Sequence, residues 1–323
     1  MTTAAELMSR ITAELSTGLA AAGRGRGRPT LVAVAHGSRD PAAARTVRAL
    51  LAAVRAQRPG LRVRLGHVEL NAPLLRDTLS TLTGDAVLVP LLFARGHHVT
   101  RDIPETLRAA AEHDRRKHAE DPGHPAAHGS APRATGALVH AGPTSPQAPT
   151  AGGRPGAAPA LAARIAAPLG PHPLLAAALA GRLAEAGWRG DGVVLAAAGS
   201  RAAPAAADSA ATAALLADRL GVPVLPAYAS AAAPTVAEAA RTLAARGCRR
   251  IGVACCFTAP GLFAARTAAD ARALGMTVAA PLGAHPALAR LVLHRYDEEL
   301  SRPGKRADTT ADTPTATTAR AAA

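Results

Sequence analysis

The sequence predicts an α/β protein built from two similar halves, each a parallel sheet covered by helices. Apolar runs of the kind buried on both faces of a parallel sheet alternate with segments of helical spacing. The same order of segments occurs twice within the 323 residues. Strands and helices that alternate in this way are typical of βαβ units, in which the strands run parallel.

The first half begins with an apolar strand, TLVAVAH, followed by a helical segment, PAAARTVRALLAAVRAQRPG, that closes on Pro-Gly. A second predicted strand, RVRLGHVEL, precedes a helical segment, NAPLLRDTLSTLTG, that ends at glycine. The apolar run DAVLVPLLFA is the third strand. This half therefore contains a complete βαβαβ pattern.

The second half repeats these segments in the same order. GVVLAAAGSR restates TLVAVAHGSR, IGVACCFTAPG restates VLVPLLFARGH, and PLGAHPAL restates PLGPHPLL. Equivalent residues lie 161 to 164 positions apart through most of the repeat but 113 apart at its end. The first half therefore carries about 50 residues that the second half lacks.

The extra residues lie at about 119–160, a stretch rich in Pro, Gly, Ala and His without periodicity, which predicts a disordered insertion. We predict an N-terminal helix and flexible linker at 1–28, a first lobe at 29–188, a second, degenerate lobe at 189–302 and a disordered tail at 303–323. Duplicated lobes that face one another form a cleft suited to a ligand. A duplication without a shared site is the alternative.

The amino-acid composition limits the classes of ligand and partner that the protein is expected to bind. The net charge of +14 suits a polyanionic ligand, although it is also explained by arginines spread over a solvated surface. Aromatic residues make up only 2% of the chain, which argues against stacking on single-stranded nucleic acid. No run reaches the ~18 apolar residues of a membrane helix. Charged residues near the N-terminus argue against a signal peptide, so we expect a soluble, cytoplasmic protein without nucleic-acid or membrane partners.

Three cysteines, Cys248, Cys255 and Cys256, form neither a CxxC pair nor a disulfide framework. We interpret them as small buried residues in a reducing compartment.

A comparison of the two halves isolates three groups that only the first half has, one of them a pair of histidines. The aligned pairs are His36 with Ala198, Glu69 with Ser230, and His97-His98 with Gly261-Leu262. The tripeptide Gly-Ser-Arg after the first strand is kept in both halves. The turn therefore does not need an imidazole, and His36 has a role local to the first half.

The three groups unique to the first half follow apolar runs, at the carboxyl ends of neighbouring strands. Ligands bind at that edge of an open parallel sheet. Two imidazoles and a carboxylate with open coordination positions suit a divalent first-row metal such as Fe(II), Co(II), Ni(II) or Zn(II). Histidines satisfied in the core or at the surface are the alternative interpretation.

These motifs resemble the sirohydrochlorin chelatase family of the CbiX and SirB type, in its long form with two lobes. AHGSRDP after the first strand and GHHVTRDIP after a later one carry the resemblance, together with LNAP and the HPLL and HPAL helix starts. The resemblance covers about residues 29–112 and 164–300.

The resemblance implies two chelatase-like lobes, each a parallel four-stranded sheet flanked by helices, with a cleft between them. It implies a lyase that inserts Fe²⁺ or Co²⁺ into sirohydrochlorin without ATP, for siroheme or cobalamin biosynthesis. The metal is then a substrate, with Ni²⁺ as a further possibility, and no organic cofactor is expected. Two lobes in one chain predict a monomer, with an oligomer as the alternative.

The family's two histidines map onto His36 and His98, and Glu69 matches its carboxylate position. His97 falls on a variable position and is not expected to be a ligand. We expect these three residues to bind the metal and to take up the pyrrole protons, since imidazoles exchange protons near neutral pH. The second half lacks both histidines, so the resemblance implies one site, with the second lobe as a wall.

Sirohydrochlorin carries eight carboxylates, so basic and hydroxyl side chains at the cleft are candidates for binding it. Those candidates are Ser38, Arg39 and Arg101. An alternative for Arg39 and Asp40 is that they cap and orient the first helix. The alternative function is a non-catalytic metal or tetrapyrrole carrier built on the same fold.

Overall fold

The structure, a computed structural model, describes residues 28–119, 162–230 and 232–302. These residues form two parallel four-stranded sheets flanked by helices, which confirms the predicted fold class. The predicted N-terminal segment up to residue 27, the insertion from residue 120 onward and the tail after residue 302 lie outside the described residues.

Among its described residues, the first half has four strands and four α-helices. The strands are β1 (Thr30–Ala35), β2 (Val63–His67), β3 (Ala86–Pro90) and β4 (Ala163–Ile165). The helices are α1 (Pro41–Gln57), α2 (Leu75–Ser80), α3 (Ile103–Ala119) and α4 (Pro173–Glu185). A π-helical turn, His98–Asp102, leads directly into α3.

The second half follows the same order. The strands are β5 (Gly192–Ala197), β6 (Val224–Tyr228), β7 (Ile251–Cys255) and β8 (Thr277–Val278). The helices are α5 (Ala203–Leu220), α6 (Val236–Ala245), α7 (Leu262–Ala273) and α8 (Pro286–Ser301).

Both sheets have the same strand order, β2-β1-β3-β4 and β6-β5-β7-β8, with every neighbouring pair parallel. Every residue of β1 is buried because helices cover both faces of the sheet. That burial explains why the strand reads as an uninterrupted apolar run. The parallel register aligns the carboxyl ends of β1, β2 and β3 at one edge of the first sheet.

The last helix of each half packs on the other half. Helix α4 contacts α5 and β7 of the second half, whereas α8 contacts α1 and β3 of the first half. The two helices also pack on each other. As a result, one hydrophobic cluster spans both lobes, and each lobe has a further cluster of its own.

Polar contacts also hold the last helix of the second half, α8, against the first half. The guanidinium of Arg58, at the end of α1, forms a bidentate pair with the Asp297 carboxylate of α8, with N–O distances of 2.5 and 2.6 Å. The Tyr296 hydroxyl of α8 donates to the Pro29 carbonyl just before β1, at 2.7 Å. Helix α8 is therefore tied to both ends of the first βα unit.

All three cysteines are buried and free, as the sequence predicted. Burial raises the pKa of the Cys255 thiol to about 11 and raises that of Cys256 as well, so both stay protonated.

Among the described helices, none has the length and apolar character needed to cross a membrane.

Candidate functional site

A cleft of about 770 Å³ lies between the lobes, at the carboxyl ends of both sheets. Its walls come from the loops after β1, β2 and β3 of the first half and from the equivalent loops of the second half. This is the edge at which parallel sheets bind ligands. Its volume falls in the range of small-molecule sites.

His36 enters this cleft on a turn that requires glycine. Gly37 has a φ of 109°, and a Cβ there would lie 1.9 Å from the Glu69 carbonyl oxygen. In the second half Gly199 has a φ of 94°, and its Cβ would lie 1.9 Å from the Ser230 carbonyl oxygen. Both halves therefore need the glycine for backbone approach, whereas only the first half adds the imidazole.

The residues after Gly37 serve the turn and the helix. The Ser38 backbone N–H donates to Asn71 Oδ1 at 2.6 Å, and the Ser38 hydroxyl accepts from the Asp40 N–H at 3.1 Å. The Asp40 carboxylate caps α1 by accepting from the Ala42 N–H at 2.8 Å. The capping role considered for Asp40 is confirmed. Ser38 lines the cleft while it holds the turn.

His98 stands at the start of the π-helical turn. The Ile103 N–H donates to the His98 carbonyl, which closes the wide turn. Within it, His98 Nδ1 lies 2.5 Å from Asp102 Oδ2. Such turns are rare and occur frequently at functional sites.

The fold brings together the three residues predicted to form the site. The rings of His36 and His98 lie edge to face, with centroids 4.4 Å apart and an interplanar angle of 87°. Glu69 Oε1 lies 3.5 Å from His36 Nδ1. The side chains of His36, Glu69 and His98 are 40%, 51% and 33% exposed, so all three are open to the cleft.

Local partners determine which nitrogen each ring presents. His36 Nδ1 faces the Gly37 carbonyl at 3.2 Å and the Glu69 carboxylate, both of which accept hydrogen bonds. His98 Nδ1 faces the Asp102 carboxylate. These acceptors select, for each neutral ring, the tautomer with the proton on Nδ1 and the lone pair on Nε2. Within the three described ranges, neither Nε2 has a hydrogen-bond or ion-pair partner.

This arrangement is an open site rather than a closed cage. In the part of the chain that the structure describes, no three His, Cys, Asp or Glu side chains surround one point as metal ligands. Glu69 contacts His36 at Nδ1, the ring nitrogen that is not available to the metal in this arrangement. Two adjacent imidazole nitrogens would leave most coordination positions of a metal ion free for other ligands.

The predicted basic residues differ in position. Arg39 lines the cleft beside His36, whereas Arg101 is exposed in the π-helical turn and is not part of the cleft wall. His97 is 66% exposed, and its Nε2 lies 3.4 Å from Asp102 Oδ1. His97 and His98 therefore both contact the carboxylate of Asp102.

Sequence reasoning missed two residues of this site. Asp102 lies four positions after His98, a helical spacing that would have indicated the contact. His67 ends β2 and lines the cleft, although it is only 4% exposed. Its Nδ1 lies 3.2 Å from the Pro73 carbonyl, and burial lowers its pKa. Nothing in its sequence context separated it from a core residue.

The fold and the cleft define a class: two-lobed proteins of parallel α/β type with an open pair of imidazoles between the lobes. The chain belongs to the CbiX family, whose family model matches residues 30–122 and 192–299, one segment in each half. The resemblance inferred from the histidine motifs is thereby confirmed.

One curated relative is the sirohydrochlorin cobaltochelatase of Methanococcoides burtonii. It is 31% identical over 86 residues, which are 25% of this chain and 66% of that protein. The cobaltochelatase of Saccharolobus solfataricus is 47% identical over 49 residues, which are 14% of this chain and 38% of that protein. The matched segments thus span two thirds or less of these curated relatives.

Among solved structures, SirB from Bacillus subtilis with Fe³⁺ matches with a TM-score of 0.62 and 18% identity, covering 85% of this chain and 96% of that one. SirB of Bacillus subtilis subspecies spizizenii in complex with cobalt has a TM-score of 0.61 and 17% identity, covering 86% and 97%. At this identity the likeness establishes the two-lobed fold.

Proposed function

We propose that the protein is a sirohydrochlorin chelatase, a lyase that inserts Fe²⁺ or Co²⁺ into sirohydrochlorin without ATP, in siroheme or cobalamin biosynthesis. The observation that carries the proposal is the pair of imidazoles, His36 and His98, with both Nε2 lone pairs free in an interlobe cleft of about 770 Å³. Membership of the CbiX family and the cobaltochelatase relatives support the same activity.

The first step is capture of the metal ion, which is a substrate. The Nε2 atoms of His36 and His98 are neutral donors that bind Fe²⁺ or Co²⁺ without the tight hold of thiolates. The Gly37 carbonyl and the Asp102 carboxylate accept the Nδ1 protons of His36 and His98 and so orient both rings, and the Glu69 carboxylate lies 3.5 Å from the same nitrogen of His36. Water completes the coordination until the macrocycle arrives.

The second step exchanges the metal for protons. Two pyrrole N–H bonds break, and the four macrocycle nitrogens form bonds to the metal as the two Nε2–metal bonds break. The released imidazoles can each accept one pyrrole proton at Nε2, because their lone pairs are freed at that moment. The site thereby gives up a charge of +2 and gains two protons, so its net charge is unchanged. Loss of the protons to solvent resets it.

Binding of the macrocycle involves its carboxylate rim. Arg39, on the cleft wall, is placed to pair with one carboxylate, and the Ser38 hydroxyl lies beside it. Arg101 is exposed on the neighbouring turn and serves only a carboxylate that extends beyond the cleft. The overall charge of +14 favours approach of such a polyanion.

Metal insertion tests the proposal directly. Purified protein is mixed with sirohydrochlorin and Co²⁺, or with Fe²⁺ in the absence of oxygen, and the absorbance change of the macrocycle is followed. We expect His36→Ala and His98→Ala each to slow catalysed insertion by about 100-fold, because each removes a metal ligand and a proton acceptor.

The matched control is His113→Ala, which removes an exposed imidazole on α3 that does not line the cleft. This variant should insert metal at the rate of the unchanged protein. Insertion by the unchanged protein no faster than the spontaneous reaction would refute the enzyme and leave the carrier function, which binding of metal and macrocycle without turnover would support.

A further inference from the structure

The aromatic residues of this chain are concentrated at the cleft. The chain has three phenylalanines, two tyrosines and one tryptophan. All three phenylalanines and one tyrosine line the cleft, namely Phe93, Phe257, Phe263 and Tyr228. In a chain so poor in aromatic residues, this concentration indicates a ligand with flat apolar faces.

Exposed apolar side chains show the same bias. Among the described residues, four large apolar side chains are exposed: Leu70 at 53%, Leu262 at 79%, Phe263 at 37% and Leu274 at 51%. The first three line the cleft, and Leu274 does not. Neighbouring apolar side chains left in water at the mouth of a cleft mark a surface that a ligand covers.

Leu262 takes the place that His98 holds in the first half, and Phe263 follows it in the chain. Leu262 is the repeat equivalent of His98, and α7 begins there as the π-helical turn begins at His98. A Cβ on Gly261 would lie 3.2 Å from Ser38 Oγ, so the start of α7 faces the turn that carries His36. The Thr258 hydroxyl donates to the Leu91 carbonyl at 2.9 Å and fixes this loop to the first lobe.

We propose that Leu262 and Phe263 form a substrate platform: they pack on the face of the macrocycle that is turned away from His36 and His98. This inference rests on the proposed function, because it assigns the side from which the same substrate is held. A metal ion enters a planar macrocycle through one face. The opposite face must then be held by groups that do not bind metal, and apolar side chains meet that requirement.

The platform gives the second lobe a role of its own. An imidazole at position 262 would offer the metal a competing ligand on the wall across from the delivering pair. Leucine at that position removes the competitor and adds apolar area that the substrate buries. The loss of histidine from the second half therefore divides the work, with metal bound by the first lobe and the macrocycle face by the second.

The test measures macrocycle affinity and metal affinity separately. Metal-free sirohydrochlorin is titrated into the full-length double variant Leu262→Ala/Phe263→Ala, and Co²⁺ is titrated into the same protein without macrocycle. We expect the sirohydrochlorin Kd and the KM for insertion to rise by about tenfold, as burial of two apolar side chains is lost. Co²⁺ affinity should stay within twofold of that of the unchanged protein, roughly the resolution of such titrations.

Two further variants separate this role from a structural one. Leu274→Ala removes an exposed leucine at the end of the same helix, outside the cleft, and should change neither affinity. The conservative pair Leu262→Met/Phe263→Leu keeps apolar area and should restore most of the sirohydrochlorin affinity. This pattern of results supports the platform.

Two results would overturn it. If the unchanged protein inserts metal and the double alanine variant binds sirohydrochlorin with unaltered affinity, the platform is wrong and the proposed function stands. If the unchanged protein binds no sirohydrochlorin, the proposed function and the platform are both wrong.

Discussion

At the turn after β1, the fold requires Gly37, whereas His36 is not needed for the turn to form. The backbone turn after β1 needs glycine because the Glu69 carbonyl lies where a Cβ would be, and the second half repeats this at Gly199. The imidazole is an addition to a turn that forms without it. A residue present in one half and replaced by alanine in the other, on an otherwise identical turn, therefore points to chemistry rather than packing.

Asp102 is the residue that orients the His98 ring. Its carboxylate accepts the Nδ1 proton of His98 and leaves Nε2 unpaired, the atom that the proposed function assigns to the metal. We predict that Asp102→Ala weakens Co²⁺ binding by about 10- to 100-fold, the usual cost of losing a carboxylate behind a ligating histidine. Isothermal titration of the protein with Co²⁺ measures the change.

Asp77→Ala is the control for Asp102→Ala, since Asp77 is an exposed carboxylate on α2 that does not line the cleft. It should bind Co²⁺ like the unchanged protein. Equal Co²⁺ affinities for the two variants would show that Asp102 does not act through His98.

At the scale of elements, helices α4 and α8, which each pack on the opposite half, both have a histidine as N-cap residue. The His172 Nδ1 accepts from the Leu174 N–H at 3.0 Å, and the His285 Nδ1 accepts from the Ala287 N–H at 3.2 Å. Each cap packs on the other helix: the His172 ring lies against the tilted His294 ring, with centroids 4.6 Å apart, and a Cβ on Gly181 would lie 2.4 Å from His285 Nε2. The interpretation of both His-Pro pairs as helix starts is confirmed.

These caps make stability depend on pH. Burial is the main cause that lowers the pKa of His172 and of His285 below the ordinary value of 6.5, and the neighbouring Arg295 and Arg182 lower them further. The unfolded chain therefore binds these protons more readily than the folded protein. We predict that the stabilisation is complete above pH 6.5 and is lost as the pH falls through the lower folded-state values.

The comparison variant is His172→Asn/His285→Asn, because asparagine caps a helix through an oxygen that does not titrate. Urea unfolding midpoints at about pH 7.5 and about pH 5.5 should differ less in this variant than in the unchanged protein. His67, whose pKa burial also lowers, leaves part of the dependence in place. An identical pH dependence in both proteins would show that the caps do not titrate.

At the scale of the whole molecule, a polar clamp joins the lobes beside the cleft. The Asp208 side chain on α5 is only 4% exposed and accepts from the Arg95 backbone N–H at 2.8 Å, from its Nε at 3.0 Å and from its Nη2 at 2.7 Å. Arg95 follows β3, so this contact holds the loop that precedes His98 against the second lobe.

We predict that Arg95→Met lowers the urea midpoint of unfolding, because it leaves a buried carboxylate with one partner fewer. The double variant Arg95→Met/Asp208→Asn should recover part of the loss, since a neutral amide needs less compensation. Arg201→Met, at an exposed arginine, should leave the midpoint unchanged. An unfolding midpoint for Arg95→Met equal to that of Arg201→Met would contradict the clamp.

Much of the candidate site was predictable because the order of the strands and the types of residue that follow them are visible in short stretches of sequence. His36, Glu69 and His98 follow three apolar runs, and parallel strands bring their carboxyl ends to one edge. Asp102 and His67 were not predicted, because a carboxylate in a helical turn and a histidine at a strand end have many roles that sequence does not distinguish. Arg101 was expected at the cleft as a partner of the macrocycle carboxylates, but it is exposed in the π-helical turn and does not line the cleft.

By itself, the sequence determined the duplicated βαβ pattern, the parallel sheets and the asymmetry of the two halves, since these depend on periodicity and on comparison of equivalent positions. Only the tertiary structure decided that α4 and α8 each pack on the opposite half, that the imidazoles present Nε2, and that the three phenylalanines and Tyr228 line one cleft. These features depend on contacts between segments far apart in the chain. Such contacts are selected by how whole elements pack, which no local pattern records.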